Sequence, residues 1–303
     1  MSKGLVYKST GSFYKVKTGN TFHECVLAGK YRLKGKKTTN PVAVGDWVEL
    51  NTEKLPPVIE SISPRKNYII RKSVNLSKEA HILASNIDLV LIVASVAKPR
   101  TSTGFINRIL VTAEAYGIPA AVVFNKADLL NAKETAVTAE LAEEFDFLGY
   151  TSFITDALSH RGVNALRTFL QDKTLLVIGH SGVGKSSLLN ALDPMLNVKT
   201  GIISKKHNKG MHTTTFAEMH DTFFGARIID TPGVKEFGLV DIKPADVGGY
   251  FPEIRELRKK CRFHNCLHRE EPGCVVKEAL ETGEIAVFRF QDYLSILETT
   301  SQK

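Results

Sequence analysis

The chain is short of several things that would place it outside the ordinary globular class. No uncharged apolar run is longer than Leu89 to Ala97, far below the roughly 20 residues that a membrane-spanning helix needs. The start, Met1-Ser-Lys-Gly-Leu-Val-Tyr-Lys8, has neither the continuous apolar stretch nor the small-residue cleavage site of a secretory signal. Both absences predict a cytoplasmic protein with no membrane contact. No internal repeat or low-complexity tract is visible, which excludes a solenoid or a collagen-like rod. Cysteine is scarce as well: there are 4 in 303 residues, and three of them, Cys261, Cys266 and Cys274, fall within fourteen residues while Cys25 stands alone. That clustering in an intracellular chain points to a metal rather than to disulfides.

What is present fits two or three domains of about 100 to 200 residues each, with apolar residues at 43% and charged residues at 24%. Charge is uneven. Residues 1–72 hold 14 Lys+Arg against 5 Asp+Glu, a net of +9, whereas the remaining 231 residues carry a net of −1. A basic segment on a near-neutral body suits a grip on a polyanion, nucleic acid first; the plainer alternative is a solvated face.

Residues 4–63 read as short alternating segments: Leu5 to Tyr7, Ser12 to Val16, Thr21 to Leu27, Val42 to Leu50 and Val58 to Ile62. Period-two patterning at this spacing, with no helical stretch, predicts an OB-like β-barrel within residues 1–72. The basic loop Lys30 to Lys37, carrying Tyr31, suits a barrel that stacks and neutralises a nucleic-acid strand; it also suits a hairpin tip that guards a sheet edge. Residues 61–72 read as a link.

The pattern then changes. Apolar strands at 87–93, 120–124, 152–155 and 174–179 alternate with helical stretches at 105–116, 133–147 and 162–170. Such alternation predicts a mostly parallel α/β sheet covered on both faces, spanning residues 73–240. From about residue 241 the strands stop, and residues 241–303 read as short helices around a Cys/His knot.

Gly179-His180-Ser181-Gly182-Val183-Gly184-Lys185-Ser186 matches the phosphate-loop pattern between a strand and a helix that begins with Ser187. Glycines let backbone N–H groups converge on phosphates, Lys185 reaches the β- and γ-phosphates, and Ser186 ligates Mg²⁺. Asn125-Lys126-Ala127-Asp128 follows another strand. Asp128 can accept two hydrogen bonds from the ring N–H and the exocyclic amine of guanine, Asn125 can serve the other edge, and Lys126 can cover the base. Adenine lacks that donor pair, so the bound pair is GTP/GDP. Asp230-Thr-Pro-Gly233 follows a third strand: Asp230 can hold Mg²⁺ through water and the Gly233 backbone can sense the γ-phosphate. In Lys209-Gly-Met-His212-Thr213-Thr214-Thr215 one of the threonines, with Thr213 and Thr214 placed at the nucleotide, completes the Mg²⁺ shell. A base-specificity loop near Thr155-Asp-Ala157 lacks the usual Ser-Ala pair.

The order of these parts is informative. Asn125 precedes Gly179 by 54 residues, the reverse of ordinary GTPases, so the domain is a circularly permuted P-loop GTPase. Where other GTPases often carry a water-orienting Gln after Asp-x-x-Gly, Val234 stands here. Slow basal turnover follows, and His212 is the nearest polar candidate by sequence to act on the water; Arg227 is left open as an arginine supplied in cis. Cys261-x4-Cys266-x-His268-x5-Cys274 offers three thiolates and an imidazole, the donor set of a closed structural zinc site, with His264 as the alternative imidazole.

A basic barrel, a permuted GTPase core and a C-terminal Cys-x4-Cys-x-His-x5-Cys knot together resemble the bacterial ribosome small-subunit-dependent GTPases, the RsgA (YjeQ) family, over nearly the whole chain. The resemblance implies a monomeric cytoplasmic GTPase that binds the 30S subunit and its rRNA late in assembly, with GTP hydrolysis stimulated by the subunit. It implies GTP/GDP, Mg²⁺ and one structural Zn²⁺ as cofactors. The competing reading is an RNA-binding module that uses GTP only as a structural ligand.

Overall fold

A computed structural model describes residues 1–32, 41–72, 80–198, 217–230 and 242–301. Strands β1 (Ser2–Ser9), β2 (Tyr14–Thr18), β3 (Thr21–Leu27), β4 (Trp47–Asn51) and β5 (Val58–Ile62) form a closed barrel in the order β1-β2-β3-β5-β4, with β4 returning to β1. The period of two decides which side chains go inside: Tyr14, Val16, Cys25, Leu27, Val48, Leu50 and Ile59 fill the interior, while Lys15 and Lys17 stand between the inward positions of β2. One helical turn, α1 (Gly29–Arg32), follows β3 where the sequence predicted none.

The stretch expected as a strand from Val42 to Leu50 is extended only from Trp47. Gly45 makes the turn before it with a φ of +92°, and a Cβ there would fall 2.1 Å from the Ser85 carbonyl oxygen, so the turn is packed against another segment too closely for any side chain. Beside it, the buried Asp46 carboxylate accepts hydrogen bonds from Arg65 Nε (2.6 Å), Arg65 Nη2 (2.6 Å), Ser85 Oγ (2.6 Å) and the Ala43 amide (2.8 Å). A buried charge is tolerable when it is paired and bonded in this way. Part of the expected link is itself structured: β6 (Tyr68–Lys72) and β7 (Ala80–Ser85) form an antiparallel pair, and Asp46 fastens the barrel to it.

The second layer is the sheet of β8 (Leu89–Ala94), β9 (Ala120–Phe124), β10 (Ser152–Ile154), β11 (Thr174–Gly179), β12 (Glu218–Asp221) and β13 (Arg227–Asp230), in the order β10-β9-β8-β11-β13-β12. All neighbours are parallel except β12 against β13. Helices α2 (Thr103–Ala115), α3 (Ala132–Phe147), α4 (Val163–Leu170) and α5 (Lys185–Leu192) connect the strands. Every residue of β8 is buried; Val90, Ile92 and Ala94 enter one core, and Leu89, Leu91 and Val93 enter the other. Continuous apolar strands are what a sheet covered on both faces requires. Two helices begin slightly earlier than their apolar periodicity suggested, because Ser102 caps α2 and Asn131 forms a capping box with Glu134 on α3. Strand β12 also pairs with β1 through Lys8 and Glu218, which joins barrel and sheet edge to edge.

After β13 the described residues hold no strand. Helices α6 (Pro244–Val247), α7 (Pro252–Leu257), α8 (Val275–Glu281) and α9 (Val287–Ser301) share a core that includes Val111 of α2. The buried Arg289 of α9 donates to Glu253 at 2.7 and 3.1 Å and to Asn107 of α2, whose amide donates to Asp292 at 2.6 Å. This network seats the helical region on the α/β layer. Among the described residues no helix is long and apolar enough to cross a membrane.

Candidate functional site

The carboxyl ends of β8, β9, β11 and β13 lie along one edge of the sheet, where ligands of open α/β folds bind. There β11 runs into the phosphate loop and the loop into α5. Gly184 shows why glycine is needed: its φ is +87° and a Cβ would lie 2.5 Å from Asn125 Nδ2. The buried Val183 pins the loop from below, inside the core shared with β8. His180 stacks on Phe105 of α2 with ring centroids 3.7 Å apart, and burial lowers its pKa. Ser181 and Gly182 are exposed, and Ser186 and Ser187 are half-buried.

The guanine motif interlocks with this loop. The buried Asn125 donates from Nδ2 to the Val183 carbonyl at 3.1 Å and accepts at Oδ1 from Thr155 Oγ1 at 3.1 Å. The Ala127 amide donates to the Thr155 carbonyl at 3.1 Å. The sequence reading gave Asn125 to the base; in the structure its amide group braces the phosphate loop. Lys126 adopts a left-handed backbone (φ +68°) and its ammonium donates to the Lys98 carbonyl at 2.8 Å. The 155–157 loop, a poor match by sequence, therefore sits against the motif. Burial opposes the charge of Asp156, but bonds from Ser159 and the Leu158 and Ser159 amides outweigh it, and Asp128 lies beside it; its pKa falls below the ordinary range.

On the phosphate side, Lys185 Nζ lies 2.9 Å from Asp230 Oδ1, a charge contact that lacks hydrogen-bond geometry at the oxygen. The two side chains come from the start of α5 and the end of β13, so the phosphate loop and the carboxyl end of β13 converge. Arg227 does not: it begins β13, its Nε is 3.9 Å from Asp221, and three residues of strand, about 10 Å, separate it from Asp230. His212, Thr213, Thr214, Gly233 and Val234 lie outside the described residues.

The knot comes together from its own short segment. One ligand atom each from Cys261, Cys266, His268 and Cys274 all lie within 4.8 Å of one another, with His268 Nδ1 at 3.7 Å from Cys261 Sγ and 3.3 Å from Cys274 Sγ. His264 instead lines a basic pocket with Arg255, Arg258, Lys259 and Arg262. Burial pushes the Cys266 thiol up to about 12, so a buried group of thiols needs a cation to become thiolates. Three sulfurs and one imidazole nitrogen at this spacing fit tetrahedral zinc.

Comparison with known proteins places this geometry. Residues 62–240 match the RsgA GTPase domain and residues 3–55 the RsgA N-terminal domain. The chain is 50% identical over 300 residues to the Small ribosomal subunit biogenesis GTPase RsgA of Flavobacterium johnsoniae, covering 97% of this chain and 92% of that one. It is 51% identical over 301 residues to the protein of the same name from Christiangramia forsetii, covering 98% and 96%. The crystal structure of YjeQ from Thermotoga maritima superposes with a TM-score of 0.81 at 32% identity, over 100% of this chain and 99% of that one. YloQ, described as a circularly permuted GTPase, gives 0.76 at 29% identity, over 100% and 96%. With its guanine motif ahead of its phosphate loop and both on one sheet edge, this chain belongs to the RsgA family of circularly permuted GTPases.

Proposed function

We propose that this GTPase binds the 30S ribosomal subunit and acts late in its maturation, hydrolysing GTP to GDP and phosphate faster on the subunit than off it. The observation that carries the reading is the pair of relatives at 50% and 51% identity, matched almost end to end and named for small-subunit biogenesis. In this reading residues 1–72 form the RNA-binding barrel, 73–240 the GTPase domain and 241–303 the zinc-binding helical domain, in a cytoplasmic monomer.

The roles follow from charge and position. Asp128 accepts from guanine, Lys126 covers the base, and the backbone from Gly179 to Ser187 surrounds the phosphates. Lys185 neutralises the β- and γ-phosphates. Ser186, Asp230 and one threonine of 213–215 would hold Mg²⁺, which would supply neutralising positive charge to the phosphates. Gly233 senses the γ-phosphate. Val234 cannot orient water, so His212 takes that task. Cys261, Cys266, His268 and Cys274 would hold a structural Zn²⁺, with no open position for chemistry. Arg255, Arg258, Lys259, Lys260 and Arg262 form an RNA-facing stripe beside it, although Arg255 is paired with Glu114 at 2.9 Å and Lys259 with Glu256 at 2.6 Å.

Val234 favours the second reading, in which GTP is only a structural ligand. Co-sedimentation with 30S subunits at one fixed salt concentration tests the first. The protein loaded with a non-hydrolysable GTP analogue should pellet with subunits more tightly than the GDP form, and His212→Ala should keep GTP binding but lose subunit-stimulated hydrolysis. Equal binding of both nucleotide forms would remove the nucleotide-driven part of the reading.

A further inference from the structure

The outward face of the barrel carries a cluster that the GTPase site does not use. Phe22 on β3 pairs directly with Lys17 on β2, and the residue is 45% exposed. Lys15 Nζ lies 4.6 Å and Lys17 Nζ 5.6 Å from the ring centroid, with Tyr7 edge-on at 5.1 Å. An exposed ring flanked by two ammonium groups suits an unpaired base stacked on the ring with its phosphates on the lysines. The cluster also lies in the segment that holds the whole positive excess of the chain. Glu24, opposite Lys15 across the ladder, adds one acidic side chain at its edge.

These lysines already have partners on the other domain. Lys17 Nζ lies 2.5 Å from Asp221 Oδ2, Lys8 Nζ 2.9 Å and Lys15 Nζ 3.9 Å from Glu218. Both carboxylates belong to β12, which leads out of the segment containing His212 to Thr215 and is followed by β13, the strand that ends at Asp230. The paired side chains are between 24% and 42% exposed, so each pair is weak and open to competition from another anion. Losing Lys15 and Lys17 leaves neither carboxylate stranded, since Glu218 keeps Lys8 at 2.9 Å. Asp221 keeps the Tyr7 hydroxyl, which donates to it at 2.5 Å, and Arg227 at 3.9 Å. The barrel keeps its Asp46 network and the packing of Leu5 and Tyr7 into the α/β core.

We propose that Phe22, Lys15 and Lys17 form a platform for a single-stranded RNA segment, whose phosphates take Lys15 from Glu218 and Lys17 from Asp221 and so loosen the side-chain contacts between β12 and β2, while the β1–β12 pairing holds. The proposal rests on the RNA-binding part of the function above and names the surface and the exchange through which RNA reaches the nucleotide-site strands.

The test uses the full chain and a fluorescent 12-residue oligouridylate, with affinity read by anisotropy at one salt concentration. Phe22→Leu should weaken binding about tenfold, the loss of one stacked base. Glu218→Gln with Asp221→Asn should tighten binding about threefold or more beyond Glu140→Gln with Glu143→Gln, an equal charge change on exposed positions of α3. Equal tightening by the two pairs would reduce the effect to net charge and overturn the exchange. Unchanged affinity in Phe22→Leu would overturn the platform, as would an oligoglutamate of matched charge that competes as well as unlabelled RNA. Nucleotide binding is read on every variant; if the double variant loses it, Asp221→Asn alone is compared with Glu140→Gln by the same criterion. Wild-type protein that hydrolyses GTP but binds no oligouridylate would sink this inference alone, whereas protein that hydrolyses no GTP would sink the functional reading beneath it.

Discussion

The nucleotide site gathers its residues from four segments spread between Asn125 and Asp230, whereas the knot takes all four candidate ligands from the fourteen residues between Cys261 and Cys274. The first is assembled by the sheet. Parallel strands bring their carboxyl ends to one edge, and Asn125, Thr155 and Val183 are already bonded to one another there. On the proposed zinc reading, the second is assembled by its ligands. The helices around it, α6, α7 and α8, have 4, 6 and 7 residues, too short to persist without tertiary support. A scaffold-built site should therefore lose chemistry without losing its fold, and a ligand-built site should lose its fold with its ligands.

The largest expected effect is on the knot. Stripping the metal, or Cys266→Ser, should unfold the region around α7 and α8, since structural zinc contributes about 10–16 kcal/mol of apparent binding free energy that is also folding free energy. Hydrogen exchange should show those amides losing protection while α5 and the β8–β11 ladder keep theirs. Fully folded protein without stoichiometric zinc would break the comparison.

Next comes Lys185→Ala, which should lower turnover by about 10²–10³-fold or more with an unchanged unfolding temperature. A variant that unfolds would show the nucleotide site to be as ligand-dependent as the knot. Asp128→Asn should exchange preference from GTP to xanthosine triphosphate, whose 2-oxo group accepts from an amide; unchanged GTP affinity in competition binding would remove Asp128 from the base site. The smallest effect sharpens the contrast. Thr155→Val leaves the buried Asn125 Oδ1 without its donor, about 1–3 kcal/mol, seen as a lower melting temperature and a modest loss of GTP affinity.

Spacing made much of this legible. The phosphate loop, Asn125 to Asp128, Asp230 and the Cys₃His pattern are short strings whose chemistry demands fixed residue types, and their order revealed the permutation. The Cys-x4-Cys-x-His-x5-Cys spacing already put His268 ahead of His264, and the structure brings the His268 imidazole in among the sulfurs. Thr155 was nearly invisible because its part is played by a backbone carbonyl and a hydroxyl, which a Ser-Ala template does not demand. Arg289 and Asp46 were hidden for another reason. Charged residues usually face water, and only the tertiary structure shows that Glu253 and Asn107, or Arg65 and Ser85, surround them. The β6–β7 pair escaped because β6 fell in the stretch read as a link, residues 61–72, and β7 lies ahead of the first apolar strand that the alternating pattern marks.

The claim that everything else depends on is guanine-specific hydrolysis answering to the small subunit. Multiple-turnover phosphate release tests it directly, with GTP and ATP in parallel, each with and without purified 30S subunits. The account predicts slow release from GTP alone, a clear acceleration by subunits, and no comparable release from ATP. Release from ATP as fast as from GTP, or a GTP rate that subunits leave unchanged, would contradict it.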